Sequence, residues 1–133
     1  MKLIGLSSNR MASCSYDNTI KIWKSIPPYN QLKTLACKNW VESIIETNTK
    51  QYLISGSNSK DSSIIKWNLK TYQRVAVFNG VECFSSNSLV EINDNRILVG
   101  GKIKISVINI LTDKVEKFVV NNELKNVISF LQL

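Results

Sequence analysis

The feature that most constrains how this chain folds is an internal repeat of about 43 residues. Trp23 in KIWK and Trp67 in IKWNL occupy similar sequence contexts and are 44 residues apart. Two further motifs recur at 86 residues, twice the period: Asn-Arg at 9–10 and 95–96, and Val-x-Ser at 41–43 and 127–129. A fixed period of this length indicates that the chain is built from equivalent structural units.

Each unit contains four short apolar runs, separated by Asn, Asp, Ser or Gly about every ten residues, which is typical of β-strands. The predicted strands are 3–6, 10–15, 19–23 and 31–36, then 41–46, 51–57, 63–68 and 73–78, then 88–92, 96–101, 104–110 and 115–120. Most of these runs lack polar/apolar alternation, which favours strands that are buried on both faces. A unit of about 43 residues with four strands is the signature of a β-propeller blade.

We therefore predict an all-β fold: a partial β-propeller of about three four-stranded antiparallel blades plus one strand of a fourth. The whole chain, 1–133, forms a single propeller segment, with blades at about 2–37, 38–79 and 80–121 and the start of a fourth at about 125–133. The last segment also fits a helix, because apolar residues recur there at helical spacing: Leu124, Val127, Ile128 and Leu131.

The stretch ASCSYDNTIKIWK, residues 12–24, resembles the WD40-repeat family, in which a small-residue strand, a turn with Asp and a strand ending in Trp follow one another. The residues in the expected places are Ser13, Ser15, Asp17, Thr19, Ile20, Ile22 and Trp23. The second unit has Asp61 and Trp67 at the equivalent positions after a two-residue insertion, whereas the third is degenerate, with Ile108 in place of Trp. The resemblance implies that these residues are structural: Asp shapes the turn and Trp packs the blade.

The family's Gly-His dipeptide is missing from every unit, and the chain has no histidine at all. The resemblance implies a hydrogen-bonded network that joins this His to the turn Asp and to the Trp, so here the network cannot form in full. Asp17 and Asp61 can still accept backbone N–H bonds within their own turns. We therefore expect looser blades whose turns are preserved.

Three residues are candidates for binding a partner: Trp40, Tyr16 and Lys60. Trp40 precedes an inner strand, and the resemblance implies that this region lies on the face where partners dock. Packing of Trp40 beneath the loop 37–39 is an equally open interpretation. Tyr16 and Lys60 each precede a turn Asp, so we expect both of them on the same face as Trp40.

Catalysis and metal binding have no support in the sequence. The chain has no histidine, no G-x-S-x-G motif and no P-loop, and Cys14, Cys37 and Cys83 are far apart and outside any C-x-x-C pair. We therefore predict that the protein is not an enzyme and has no cofactor and no metal site. The resemblance implies instead a non-catalytic protein–protein interaction scaffold that presents loops to other proteins in a multiprotein complex.

The formal charge of +7 points to an alternative function, a basic surface that binds nucleic acid or an anionic membrane. The lysines are scattered, whereas a nucleic-acid site clusters basic residues with aromatics, so nucleic acid is not the partner we expect. No apolar run is long enough for a transmembrane segment and no signal peptide is recognised, so we expect a cytoplasmic or nuclear protein. The usage of Asn, Lys and Ile favours a eukaryotic source with AT-rich coding sequence.

Three blades are about half of a closed propeller, which has roughly four to eight. Three interpretations of the missing blades stay open at this point. The chain is a fragment of a longer propeller protein, which we favour, or it is a truncated gene product. Alternatively, a second copy of the chain closes the ring.

Overall fold

The computed structural model describes residues 2–58, 63–81, 83–85, 88–92, 95–101 and 104–120. Three sequence predictions, for Lys60, Asp61 and the start of a fourth blade at 125–133, lie outside the described residues. Within the ranges that are described, the chain contains strands and turns but no helix. These ranges accordingly include no helix that is long and apolar enough to cross a membrane.

The described chain forms three four-stranded sheets in which all neighbouring strands are antiparallel. Blade one contains β1 (Lys2–Leu6), β2 (Arg10–Cys14), β3 (Thr19–Lys24) and β4 (Gln31–Ala36). Blade two contains β5 (Ser43–Glu46), β6 (Tyr52–Gly56), β7 (Ser63–Asn68) and β8 (Arg74–Asn79). Blade three contains β9 (Leu89–Glu91), β10 (Arg96–Gly100), β11 (Lys104–Asn109) and β12 (Lys114–Val120). Strands that follow one another in the chain are neighbours in each sheet, so the prediction of three four-stranded antiparallel blades is confirmed.

One irregularity recurs in all three blades, in the pairing between the third and the fourth strand. The register shifts between Ile22 and Trp23, between Lys66 and Trp67, and between Val107 and Ile108. A shift of this kind marks a β-bulge, which bends the strand and increases its twist. Its recurrence shows that Ile108 occupies the place of the two tryptophans, although the third unit has lost the indole.

Two apolar cores lie between the blades, one on each side of blade two. The first core contains Ala12, Cys14, Ile20, Ile22, Leu35, Val41, Ile44, Leu53, Ile65, Trp67 and Leu69. The second core contains Ile54, Ile64, Phe78, Val81, Cys83, Leu89, Ile97, Val99, Ile108 and Ile110. Removal of this apolar surface from water is the main favourable term that holds one blade against the next.

Blade two is buried on both faces, which explains why its strands lack polar/apolar alternation. On β6, Leu53 belongs to the first core, whereas its neighbour Ile54 belongs to the second. Blade one differs, because β3 does alternate: Ile20 and Ile22 are fully buried and Trp23 is only half-buried. The prediction of two buried faces therefore fits blade two and does not fit β3.

The antiparallel order places the turns at two opposite ends of the blades. The lower face contains the turns between first and second strands and between third and fourth strands, at 7–9, 25–30, 47–51, 69–73, 92, 95 and 110–113. The upper face contains the turns between second and third strands and the connections between blades, at 15–18, 37–42, 57–58, 80–81, 83–85, 88 and 101. β1 contacts β5, and β5 contacts β9, so the first strands of the blades are neighbours.

A buried lysine joins blade two to blade three on the lower face. The Lys66 side chain donates from Nζ to the Ile110 carbonyl at 2.6 Å and to the Asp113 carboxylate at 2.9 Å. The same ammonium group lies 4.2 Å from the centroid of the Tyr52 ring. Because a buried charge is costly unless it is paired, these three contacts explain how a lysine with only 4% of its surface exposed is tolerated here.

An arginine makes the corresponding connection between blade one and blade two. Arg10 donates from Nη1 to the Leu69 carbonyl at 2.6 Å and to the Tyr72 hydroxyl at 3.1 Å. Leu69 and Ile110 stand at the same place in their turns, one residue beyond an Asn that ends the third strand. Blades one and two therefore each send a cation to the equivalent backbone carbonyl of the following blade, although the cation comes from a different strand.

Gly56 provides a test of the packing between blade two and the connection that follows it. A Cβ atom at this position would lie 2.6 Å from the Cys83 Sγ and 2.7 Å from the Cys83 Cβ, so the second core has no room for it. We expect Gly56→Ala to lower the free energy of unfolding by about 1–3 kcal/mol, because overpacking forces the backbone apart. Gly5→Ala is the matched control, since nothing lies within 4 Å of its Cβ. Urea unfolding followed by tryptophan fluorescence measures both, and equal stabilities of the two variants would contradict this packing.

Candidate functional site

The WD-type motif predicted in blade one forms a hydrogen bond between its tryptophan and its first serine. Trp23 donates from Nε1 to the Ser13 hydroxyl at 3.1 Å, across the pairing of β2 with β3. Blade two repeats the bond, with Trp67 Nε1 donating to the Ser55 hydroxyl at 3.0 Å. In blade two the bond satisfies an indole N–H that packing would otherwise cut off from water, because Trp67 is buried.

Blade three replaces this bond by an apolar contact. The strand pairing sets Met11 opposite Trp23, Leu53 opposite Trp67 and Ile97 opposite Ile108. The serine position, two residues further along the second strand, is Val99, and both Val99 and Ile108 are fully buried. Loss of the donor and the acceptor together leaves no unsatisfied polar group, so the degenerate repeat still packs.

The predicted turn residue Asp17 acts on its own turn. Its Oδ1 accepts a hydrogen bond from the Thr19 amide at 3.0 Å and another from the Thr19 hydroxyl at 2.6 Å. The Asp17 amide donates in turn to the Ser15 hydroxyl at 3.2 Å. The bond from the Thr19 hydroxyl is the main reason that the pKa of Asp17 lies below its ordinary value. Asp17 and Ser15 therefore fix the shape of the upper-face turn that also carries Tyr16.

Tyr16 and Trp40 form an exposed aromatic pair on the upper face. Their ring centroids are 5.1 Å apart and their planes are inclined by 33°. Tyr16 is 54% exposed and Trp40 is 55% exposed, so Trp40 lies on the surface and does not pack beneath the loop 37–39. A cavity of about 320 Å³ adjoins Trp40, and the other described residues that line it are polar: Asn18, Lys38, Asn39 and Asn58.

Backbone hydrogen bonds hold the two segments that carry this aromatic pair. The Val41 amide donates to the Ser15 carbonyl at 3.2 Å, and the Cys37 amide donates to the Asn18 carbonyl at 2.8 Å. The connection into blade two is thus tied to the β2–β3 turn on either side of the rings. The structure brings Tyr16 and Trp40 together, whereas Lys60, the third predicted binding residue, lies outside the described residues.

Phe84 extends the apolar part of the upper face, and it was missed in the sequence. Its side chain is half exposed on the connection from blade two to blade three. Asn58, which lines the cavity beside Trp40, donates from Nδ2 to the Phe84 carbonyl at 3.5 Å. The signal available in the sequence was its location in a connection between blades, the same kind of segment that carries Trp40.

Ser55 and Lys66 were also missed. Ser55 stands 42 residues after Ser13, so the repeat itself contained the signal for the second indole bond. Lys66 had no such signal, because the residue that neutralises it, Asp113, is 47 positions away in the sequence.

The cysteines are buried or half-buried thiols. Burial raises the pKa of Cys37 to about 11 and that of Cys83 to about 12, and it also raises the pKa of Cys14. Thiols with such values are protonated near neutral pH and are poor nucleophiles. No group of three or more His, Cys, Asp or Glu side chains that could hold a metal ion is found in the described part of the chain.

Comparisons with known proteins agree with this architecture. Residues 5–24 match the family model for the WD domain, G-beta repeat. A search of the curated proteins found no significant match, whereas 229 chains of solved structures match. One of them is the crystal structure of the RRP9 WD40 repeats, with a TM-score of 0.73 and 15% sequence identity over 90% of this chain. This chain spans 38% of the length of that RRP9 chain, and the identity is low enough that the likeness shows the fold alone.

We expect loss of the two indole–hydroxyl bonds to lower the free energy of unfolding by different amounts. Ser55→Ala leaves the N–H of Trp67, which is only 4% exposed, without its acceptor, so we expect a loss of about 1–3 kcal/mol of unfolding free energy. Ser13→Ala is the matched variant, and its cost is expected to be smaller because the half-buried Trp23 can turn to water. Thermal and urea unfolding of both variants measures whether Ser55→Ala is the more destabilised of the two. A larger loss for Ser13→Ala would contradict the burial difference.

Proposed function

Because this chain carries a WD40 repeat on a WD40 propeller fold, we propose that it is a protein-interaction scaffold whose upper face binds partner proteins. WD40 repeats generally act as scaffolds on which proteins assemble. The observation that carries the proposal is the exposed pair formed by Tyr16 and Trp40. Two large rings in contact with each other and with solvent, beside a polar cavity, are what a protein-binding hot spot requires.

Two physical properties favour this surface: the apolar area that its rings can bury, and the ordered backbone that carries them. Tryptophan and tyrosine dominate binding hot spots because they bury a large apolar area while their polar atoms keep a hydrogen-bond partner. The backbone bonds from Val41 and Cys37 hold the two segments that carry the rings in place before any partner arrives. Little conformational entropy is then lost when the surface binds, which raises the affinity that a given contact area can supply.

The cavity beside Trp40 suggests what the partner presents. The cavity wall includes three residues with amide side chains, Asn18, Asn39 and Asn58, and an amide is the kind of group that pairs with the N–H and C=O of an extended peptide. Lys38 adds a positive charge to the rim. A partner segment with an apolar side chain against the rings and an acidic residue near Lys38 fits this arrangement.

Further propeller blades are the second kind of partner that we propose, supplied either by the same protein or by a second copy of the chain. The outer face of blade one, opposite the first core, supports this proposal. It includes Leu3, which is 63% exposed, and the half-buried Met11 and Trp23. Apolar residues that share a sheet face favour cover by another protein surface.

The proposal assigns the chain no catalytic step and no cofactor. The alternative of a basic surface for nucleic acid or an anionic membrane stays a prediction from the net charge. The cytoplasmic or nuclear location stays a prediction in the same way.

Replacement of Trp40 by alanine tests the upper face. We expect Trp40→Ala to weaken binding to an upper-face partner at least about tenfold, because a central tryptophan in a hot spot is worth about 2 kcal/mol or more. Partners are captured from cell extract with the wild-type chain, and the dissociation constant of each purified partner is then measured by calorimetry. Tyr16→Ala is expected to act in the same direction.

Leu111→Ala serves as the matched control, since Leu111 is an exposed apolar residue on the lower face. Circular dichroism verifies that each variant keeps its strands. The proposal would be wrong if every partner bound Trp40→Ala as well as wild type, or if Leu111→Ala weakened binding equally.

A further inference from the structure

A large opening lies on the lower face, in the seam between blade one and blade two. It is a cavity of about 690 Å³ formed by three turns, at 7–10, 50–52 and 68–72. Small-molecule sites typically enclose about 300–1,000 Å³, so the size suits a ligand larger than a single ion. It lies at the opposite end of the blades from Tyr16 and Trp40, and the inference drawn from it does not rest on the upper-face proposal.

Positive charge dominates the wall of this cavity. Arg10, Lys50 and Lys70, one from each of the three turns, line it, and none of the described lining residues is a carboxylate. An acid also lies in this seam between blade one and blade two: Glu46 accepts hydrogen bonds from the Ser7 amide and hydroxyl and lies 3.6 Å from the Lys50 ammonium. Glu46 therefore offsets part of the charge of Lys50 and leaves Arg10 and Lys70 to define the field.

The guanidinium of Arg10 is held in place by hydrogen bonds from two of its three nitrogen atoms. Its Nε donates to the Ser7 carbonyl at 3.3 Å, and its Nη1 donates to Leu69 and Tyr72 across the seam. These bonds orient the guanidinium while Nη2 has no hydrogen-bond partner among the described residues. A guanidinium that is held by its neighbours loses little freedom when it binds an oxyanion.

Lys70 and the turns around it supply the remaining donors. The Lys70 ammonium forms no hydrogen bond or ion pair with any described residue, although its backbone amide is held by Asn68 Oδ1 at 2.7 Å. Two residues with neutral polar side chains, Ser8 and Gln51, also line the cavity. The seam thus combines one oriented guanidinium, one ammonium that is unpaired among the described residues, and neutral polar residues around a single space.

We propose that this lower-face cavity binds a phosphomonoester group. A phosphomonoester carries about 1.5–2 negative charges at neutral pH and three acceptor oxygens, which match the excess of cations and donors. The volume exceeds what one phosphate fills, so the group belongs to a larger molecule. That molecule is either a small phosphorylated compound or a phosphorylated side chain of a partner peptide.

Calorimetric titration of the full chain at low ionic strength and neutral pH tests the site with defined probes. These are inorganic phosphate, an acetylated phosphoserine peptide and the same peptide without phosphate. We expect both phosphates to bind and the unphosphorylated peptide not to bind. Tighter binding of the phosphopeptide than of inorganic phosphate assigns the group to a peptide, and equal binding assigns it to a small phosphorylated compound.

Lys70→Gln is the informative variant, because this ammonium has no described partner in the folded chain and its removal leaves the blades connected. We expect it to weaken phosphate binding about 5- to 10-fold, since one charge-assisted contact is lost. Lys33→Gln, an exposed lysine on β4, removes the same charge at another place and is expected to leave binding nearly unchanged. Trp40→Ala is also expected to bind phosphate normally, which separates this site from the upper face.

Two results would overturn the assignment. One is that neither inorganic phosphate nor the phosphopeptide binds at millimolar concentration. The other is that Lys70→Gln and Lys33→Gln reduce binding equally, which would show a response to net charge and no specific site.

Discussion

The structure depends on one constraint: a four-stranded blade cannot bury its own faces, so it must stack against another blade. Blade two meets this constraint completely, with Leu53 on one side and Ile54 on the other, each in a separate apolar core. The polar connections follow from the same stacking, because Arg10 and Lys66 reach the adjacent turn only when the blades are in contact. Burial supplies the stabilisation, and the cations set which turn lies against which strand.

Both proposed surfaces follow from the seam between blades one and two. At its upper end the connection that carries Trp40 crosses from one blade to the next and meets Tyr16. At its lower end three turns leave a cavity with Arg10 and Lys70 on its wall. A propeller places loops at both ends of every seam, so divergence of loop residues can change function while the stacked sheets stay the same.

The sequence predicts the fold well because the repeat and the turn residues are local signals. All twelve strands described were predicted within about three residues at each end, and the bulge places Ile108 where the repeat predicted it. The surfaces were harder to predict, since they depend on contacts between distant segments. Tyr16 and Trp40 are 24 residues apart, and nothing in the sequence between them reports that their rings meet. Lys66 resembles a solvent-facing lysine until the fold brings Asp113 to it.

Native-state hydrogen exchange measured by NMR tests most directly the claim that stacking on both sides of blade two holds the chain together. Backbone amides whose hydrogen bonds break only when the whole structure unfolds exchange most slowly. The account predicts that the amides of β6 and β7 exchange at least about tenfold more slowly than those of β4, most of whose residues are exposed. Exchange of β6 and β7 as fast as that of β4 would contradict it, because blade two would then not be the shared core of its neighbours.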